Sequence, residues 1–531
     1  MFAFFSKNRA YIVSSLLTLL IVTFITFIPC LDNRFVNWDD NVYVTENALI
    51  KELSPGKVKT LLSSYCSGNY HPLTLLSYAV EYHFFGLNAR AFHTTNLALH
   101  LLNCSLVFWI IYLLSGSLPV SIVAALLFGI HPMRVETVAW ISDRKDLLLG
   151  LFYTGALMAY IYYLKKRALV FYLLSFFLFI PALLSKTTAV TLPLILLLLD
   201  YFFHRRPGKK LLLEKIPFFC LAVIFGMIAF AARNAYQVQL HENLIEFTLV
   251  EAMIMGVYRL VFYYFFRIIA PFKVSSFYPN SFGTDILPES TLVFSSVIIL
   301  LALAGLIFLS AKRTRKIVFG SLFFLITLMP VFKVFNLGIS ADRFSYVPLI
   351  GIFYLAGEGF RLLYHKKISV ILLGTLLGAI ITFLSVNTWQ NCFIWRDGLS
   401  LISEAIENYP SVPALRARRG NIYYLQQDYK NAVTDYSKTL ALCPEHLQAR
   451  IFRGLSYGRQ GYHRMAAVDF SQALEIDPNN KNVYLYRAFA RYRLGNFEKA
   501  WEDIRSIEKL GGTVPPEFIR QLEKHAPRPK K

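Results

Sequence analysis

Residues 10–30 read AYIVSSLLTLLIVTFITFIPC, a run without a single charged side chain. As a helix rising 1.5 Å per residue it covers about 30 Å, the thickness of a bilayer's hydrocarbon core. Lys7 and Arg9 stand just before it. The run is too long for the apolar part of a secretory signal, and no small-x-small cleavage site follows. It is expected to be an uncleaved first span that begins in the cytoplasm. Comparable runs recur along most of the 531 residues, of which 56% are hydrophobic, against about 45–50% in soluble proteins. The fold class that follows is all-α: a polytopic transmembrane helix bundle.

Expected spans are 10–30, 94–115, 119–139, 146–164, 168–184, 187–203, 215–232, 291–310, 317–336, 344–362 and 368–387, about eleven in all. The net charge is +21. Its Lys and Arg cluster between apolar runs: Lys165-Lys166-Arg167, His204-Arg205-Arg206 with Lys209-Lys210, Lys312-Arg313 with Arg315-Lys316, and Lys366-Lys367. This is the positive-inside pattern and not a nucleic-acid footprint. The run 251–271 contains Arg259 and Arg267 and precedes Lys273 and Tyr278-Pro279. As a span it would put the cluster at 311–316 outside; as an interfacial or re-entrant helix it leaves every cluster inside. The second choice gives an external loop at 31–93 and an external C-terminus. The domain reading is 1–388 for the membrane bundle and 389–531 for a soluble unit.

That unit repeats every 34 residues. Pro410, Pro444 and Pro478 share one register, Ala432, Ala466 and Ala500 another, and Asp435, Asp469 and Asp503 a third. Small residues where paired helices touch, aromatics between them and Pro at each end describe a tetratricopeptide α-solenoid. About three repeats and a leading helix near 396–408 are expected, docked close to the membrane face. Such a stack offers a concave surface for protein or peptide.

Ionisable residues at or beside membrane depth carry the candidate chemistry. Asp39 and Asp40 follow the first span. Adjacent carboxylates repel and stay charged only beside water, a cation or a donor. One of them could take the proton of a hydroxyl nucleophile; the alternative is a solvated loop acid or helix cap. His71 lies in Tyr70-His71-Pro72, ahead of an amphipathic stretch. His93, Asn96 and His100 share a helix face, either as metal ligands or as interhelical hydrogen-bond partners. His131, Arg134 and Glu136 precede Asp143-Arg144-Lys145-Asp146. Cations there break the positive-inside pattern, so they face either these acids or a phosphate. Lys186 and the turn Asp342-Arg343-Phe344-Ser345-Tyr346 add isolated external cations, with Arg suited to bidentate phosphate contact. Together these acids and cations fit a lipid phosphate bearing a sugar and attacked by a hydroxyl. The six cysteines contain no CxxC pair, so no metal or redox site is indicated. Cys30 and Cys66 flank the first loop, and Cys392 and Cys443 lie further on; disulfides and free buried thiols are the two alternatives.

Trp38-Asp39-Asp40, His71-Pro72-Leu73 through Phe85-Gly86-Leu87 to His93-Thr94-Thr95-Asn96, His131-Pro132 to Asp146, Lys186, and Asp342-Arg343 to Tyr346-Val347-Pro348, followed by the repeats, occur in an order that resembles the transmembrane and tetratricopeptide repeat-containing O-mannosyltransferases. That family is similar to the protein O-mannosyltransferases and other GT-C enzymes. The resemblance implies a GT-C-like bundle and inverting transfer of mannose or a similar hexose from a polyprenyl-phosphate donor to a hydroxyl, with protein Ser/Thr the expected acceptor. It implies Asp39 or Asp40 as catalytic base, Asp39 favoured. Arg144, Lys145, Lys186 and Arg343 become donor-phosphate candidates. His71, His131, Glu136, Asp146, Asp342 and Tyr346 remain active-face candidates. No cofactor or metal is implied; the partners are membrane lipid, the lipid-linked sugar and a protein acceptor held by the repeats. The repeat array is shorter than in the animal proteins it resembles, which suits a bacterial inner-membrane enzyme with periplasmic repeats; a eukaryotic version would sit in the endoplasmic reticulum. The competing reading is a non-enzymatic scaffold whose repeats recruit envelope proteins. The topology makes one direct forecast: a reporter fused after Lys531 will be active on the non-cytoplasmic side, and cytosolic activity would reverse the assignment of every loop.

Overall fold

The computed structural model describes residues 2–240, 249–271, 290–331, 341–365 and 369–528. Lys273, Tyr278, Pro279, Lys366, Lys367 and the end of the expected span 317–336 lie outside them. The chain divides into two compact units, Met1–Asp397 and Gly398–Lys531.

The first unit is helical among the described residues. Six of its helices are long and apolar enough to cross a membrane, or seven if one bent pair is a single span. That pair, Leu118–Ile130 and Pro132–Ala139, bends by 59°. The cause is local: Pro132 has no N–H to donate and disfavours helical geometry at His131. The expected segments 168–184, 187–203, 317–336 and 344–362 also fall on helices, but shorter ones: Leu169–Ser185, Leu192–Phe202, Arg315–Leu328 and Leu349–His365. The last carries Glu358 and Arg361, paired at 2.6 Å. It crosses Arg315–Leu328 where Gly351 meets Gly320; a Cβ on Gly351 would collide with the Gly320 carbonyl. Small residues at such a crossing let backbones approach closely. The ambiguous segment breaks into Leu249–Tyr258, a widened π-helical stretch Arg259–Phe265, and Phe266–Ile269.

The basic cluster at 204–206 is partly folded inward. Arg205 pairs with Asp200 at 3.0 Å and Glu214 at 2.7 Å, while Lys215 reaches Asp200 at 2.7 Å. The first loop is equally ordered. It forms helices Pro55–Ser63 and Pro72–Phe85 before entering Ala89–Ser115. Their inner faces join Tyr43, Val44, Leu75, Tyr78, Phe92 and Ile141 in one apolar core. This core fixes the backbone on both sides of the acidic pair.

The second unit is a stack of helical hairpins: Pro413–Leu425 with Tyr429–Leu442, Leu447–Arg459 with His463–Ile476, and Lys481–Arg493 with Phe497–Lys509. Gly398–Asn408 precedes them. Pro516–Glu523 closes the end, burying Phe518 and Leu522 against Trp501. Side-chain bonds repeat with the helices. Arg419, Arg453 and Arg487 each grip an aspartate of their own hairpin, Asp435, Asp469 and Asp503, at 2.6–2.7 Å. Each also donates to a serine of the preceding helix, Ser403, Ser437 or Ser471, at 3.0–3.3 Å. The repeated aspartate is thus the buried end of a ladder that joins each hairpin to the helix before it. Removing Arg453 strands Asp469, whose side chain is only 3% exposed. Arg453→Ala is therefore expected to lower the unfolding free energy of a 398–531 fragment by about 3 kcal/mol, read by urea denaturation. A wild-type midpoint would show that the ladder is passive.

Candidate active site

The chain leaves helix Phe2–Phe27 through the turn Ile28–Asp32 and reaches Asp39 and Asp40 within eight residues. The two acids then part company. Asp40 is buried. Its Oδ2 accepts from the Val36 N–H at 2.9 Å, and its Oδ1 accepts from the Ser142 N–H at 3.1 Å and the Ser142 hydroxyl at 2.5 Å. Burial raises its pKa to about 6, with the Ser142 and Val36 bonds opposing. Asp39 is half-buried. Its carbonyl accepts from the N–H groups of Val42 and Tyr43, both at 3.0 Å. Among the described residues its carboxylate receives no hydrogen bond. So Asp40 is a brace and Asp39 is the acid left available.

Three cations approach the same place. Lys145 lies over the rings of Tyr43 at 4.9 Å and Trp140 at 5.4 Å. It interacts electrostatically with Asp39, Asp143, Arg343 and Lys186, yet has no carboxylate at ion-pair distance among the described residues. Lys186 pairs with Asp146 at 2.5 Å and sits over Phe344 at 5.0 Å. Arg343 pairs with Glu136 through its guanidinium and through its backbone N–H at 2.9 Å. Its guanidinium also faces Trp140 and Phe344 at 5.2 and 4.7 Å. His71 is buried beside Lys145 and Lys186; burial first, then those cations, hold its imidazole well below the usual histidine range. It is neutral at pH 7. Next to this cluster a small pocket is lined by Asp146, Tyr153, Lys186, Thr188, Thr191 and Phe344.

The other candidates are engaged elsewhere. Arg144 binds Glu81 at 2.5 Å, the Asn96 amide oxygen at 2.8 Å and the Phe92 carbonyl at 3.0 Å, with Tyr78 stacked on it at 4.7 Å. Those partners tie helices Pro72–Phe85 and Ala89–Ser115 to the helix that begins at Arg144. Asp342 accepts from Arg267 at 2.8 Å and Tyr263 at 2.9 Å. The Tyr346 hydroxyl meets His100 at 2.8 Å and Asn103 at 3.0 Å. His131 contacts the Ile268 carbonyl at 3.1 Å. Asn96 also donates to the Trp140 carbonyl, and His100 also meets the Gly129 carbonyl. For these two, the interhelical alternative describes what is found. Among the described residues, no three His, Cys, Asp or Glu side chains are grouped to hold a metal.

Two features of the site were missed or only half legible in the sequence. Tyr43 and Trp140 form the aromatic walls around Lys145, but nothing in an apolar run separates them from core residues. Asp143 was legible only as a counter-ion. It is fully buried, neither carboxylate oxygen finds a hydrogen-bond partner among the described residues, and Asp146, Lys186, Lys145 and Arg343 surround it.

The fold and this cluster define a multi-pass helical membrane protein with an acid- and cation-lined rim, joined to a repeat unit. A Tetratricopeptide repeat model matches residues 447–480. The curated relatives this chain is similar to are named protein O-mannosyl-transferases. F38B6.6 of Caenorhabditis elegans is 23% identical over 468 residues, 83% of this chain and 64% of that protein. TMTC4 of Homo sapiens is 28% identical over 198 residues, 32% of this chain and 27% of its own length. Tmtc1 of Drosophila melanogaster is 32% identical over 131 residues, 25% of this chain and 15% of its own length. The matches thus span less than two thirds of each of these relatives. Among solved structures, ArnT from Cupriavidus metallidurans bound to undecaprenyl phosphate aligns with 96% of this chain and 81% of that one, with 14% identity and a TM-score of 0.35.

The brace has a pH signature. Between about pH 4 and about pH 6 folded Asp40 retains a proton that the unfolded chain has lost, so this group's contribution to stability falls as pH rises through that window and is level above it. Asp40→Asn is expected to lack this component when thermal unfolding in detergent is followed from pH 4 to 7. An identical pH profile in the variant would show that Asp40 does not titrate there.

Proposed function

We propose that this chain is an inverting membrane glycosyltransferase. It moves mannose or a similar hexose from a polyprenyl-phosphate donor to a hydroxyl, the acceptor being protein Ser/Thr. The observation that carries this is the convergence of an unbonded carboxylate, Asp39, with Lys145, Lys186 and Arg343 at one rim of an apolar bundle. The names of the relatives point the same way.

In the reaction Asp39 takes the acceptor's proton as its oxygen attacks the anomeric carbon from the side opposite the phosphate. The sugar–phosphate C–O bond breaks, and the lipid phosphate leaves with the bonding electrons. Lys145 is the first partner for that phosphate, because no carboxylate already occupies it. Lys186 and Arg343 flank it, each oriented by its own acid, Asp146 and Glu136. Cations held ready in a site of low polarity stabilise developing charge without reorganising at the moment of reaction. Asp40 holds the loop that presents Asp39. The repeats engage the protein acceptor. The working face is the periplasm in a bacterium, or the lumen of the endoplasmic reticulum in a eukaryote.

Incubating purified protein with a panel of polyprenyl-phosphate sugars and measuring released lipid phosphate tests the assignment. Asp39→Asn is expected to slow release by about 10²–10⁴-fold, the usual contribution of a general base, with normal membrane insertion. Lys145→Met is expected to raise the KM for donor. Wild-type turnover in Asp39→Asn removes that residue from the mechanism. A protein inert to every donor, yet still recruiting partners through its repeats, would be a scaffold.

A further inference from the structure

The first and last apolar helices of the membrane unit end side by side, one on a cysteine and the other three residues before one. Cys30 lies in the turn Ile28–Asp32 that closes Phe2–Phe27, and Cys392 is the final residue of Val370–Cys392. Both are buried, at 1% and 0% exposure. Both are free thiols whose side chains lie near enough to interact. The backbone is stitched on either side: the Asn33 amide donates to the Cys392 carbonyl at 3.1 Å, and the Arg34 N–H donates to the Arg396 carbonyl at 2.8 Å. The other cysteines lie elsewhere: Cys104 bonds His100 inside the bundle, and Cys66 accompanies Tyr43.

We propose that Cys30 and Cys392 are a modification site, joined by a disulfide in the mature protein. It rests on the external-face assignment made above, because disulfides form and persist in compartments on that side of the membrane. Asn33 bonds the carbonyls of both Cys30 and Cys392, so the two backbones are held side by side, and a disulfide needs its sulfurs brought to about 2.05 Å. The oxidant is a protein disulfide of a thiol–disulfide exchange enzyme. One cysteine thiolate attacks it to give a mixed disulfide, and the second displaces the enzyme's sulfur. The two S–H bonds are lost with two protons, one S–S bond forms, and the two electrons leave in the enzyme's dithiol. Since both sulfurs are buried in the folded unit, exchange takes place while the helices assemble.

The link has a consequence for the site. Trp395 lies three residues beyond Cys392 and stacks on Trp140 at 5.3 Å. Trp140 is the ring over which Lys145 and Arg343 lie. A bond at Cys392 therefore clamps the helix end behind that aromatic wall to the start of the loop bearing Asp39.

The test uses the full-length protein in its native membrane. Free thiols are blocked with N-ethylmaleimide during lysis, and peptides are compared by mass spectrometry with and without reductant, alongside the C-terminal reporter. A Cys30–Cys392 linked peptide that disappears on reduction is expected. So is a thermal midpoint several degrees lower in dithiothreitol for wild type, but unmoved by it in Cys30→Ala and Cys392→Ala. Full maleimide labelling of both cysteines with the reporter outside overturns the disulfide alone. Full labelling with a cytosolic reporter overturns the disulfide and the external-face assignment together.

Discussion

One carboxylate holds the arrangement together. Asp40 bonds Val36 in its own loop and both donors of Ser142 in a turn about a hundred residues later. Neither segment is a long helix, so neither would find its position by the packing of apolar faces alone. Burying a carboxylate is costly unless donors meet it. Here three do, and the segments they belong to are the one that presents Asp39 and the one that begins the helix of Lys145. The site is therefore assembled across the chain by the need to satisfy a single buried acid.

The remaining charges obey the same constraint with different results. Arg144, Asp342 and Glu136 are paired inside the protein, and breaking such pairs leaves an uncompensated buried charge. Lys145 and Asp39 differ because each lacks a direct partner of opposite sign among the described residues, and Lys145 is instead held by Tyr43 and Trp140. Cation–π contact keeps an ammonium in place without neutralising it. This division, between charges spent on architecture and charges kept available, is what gives the rim its chemical direction. Asp143 lies enclosed by Lys145, Lys186 and Arg343 without a hydrogen bond among the described residues.

The repeat unit follows a simpler logic. Gly420 and Gly454 lie where the rings of Tyr436 and Phe470 press on the neighbouring helix; a Cβ at either would come within 2.7 Å of a ring carbon. The arginine ladder then fixes how successive hairpins follow one another. Packing and polar bonds repeat every 34 residues together, so each unit supports the next.

The sequence by itself determined the classes of structure. Apolar runs of membrane length and a 34-residue period depend only on local composition and spacing, so helices, membrane-length segments and repeats could be read without knowing which ones touch. It also singled out the charged residues, because charge beside the membrane is costly and seldom idle. What it could not separate was their use. Asp39 and Asp40 are chemically identical neighbours, and Arg144 and Lys145 are adjacent cations; only the tertiary structure decides that Asp40 faces Ser142 and Arg144 faces Glu81, leaving Asp39 and Lys145 without a direct ion pair among the described residues. The aromatic walls and the meeting of Cys30 with Cys392 belong to the same kind of fact. Each depends on contacts between residues far apart in the chain, and such contacts are set by how the helices pack, which no local pattern encodes.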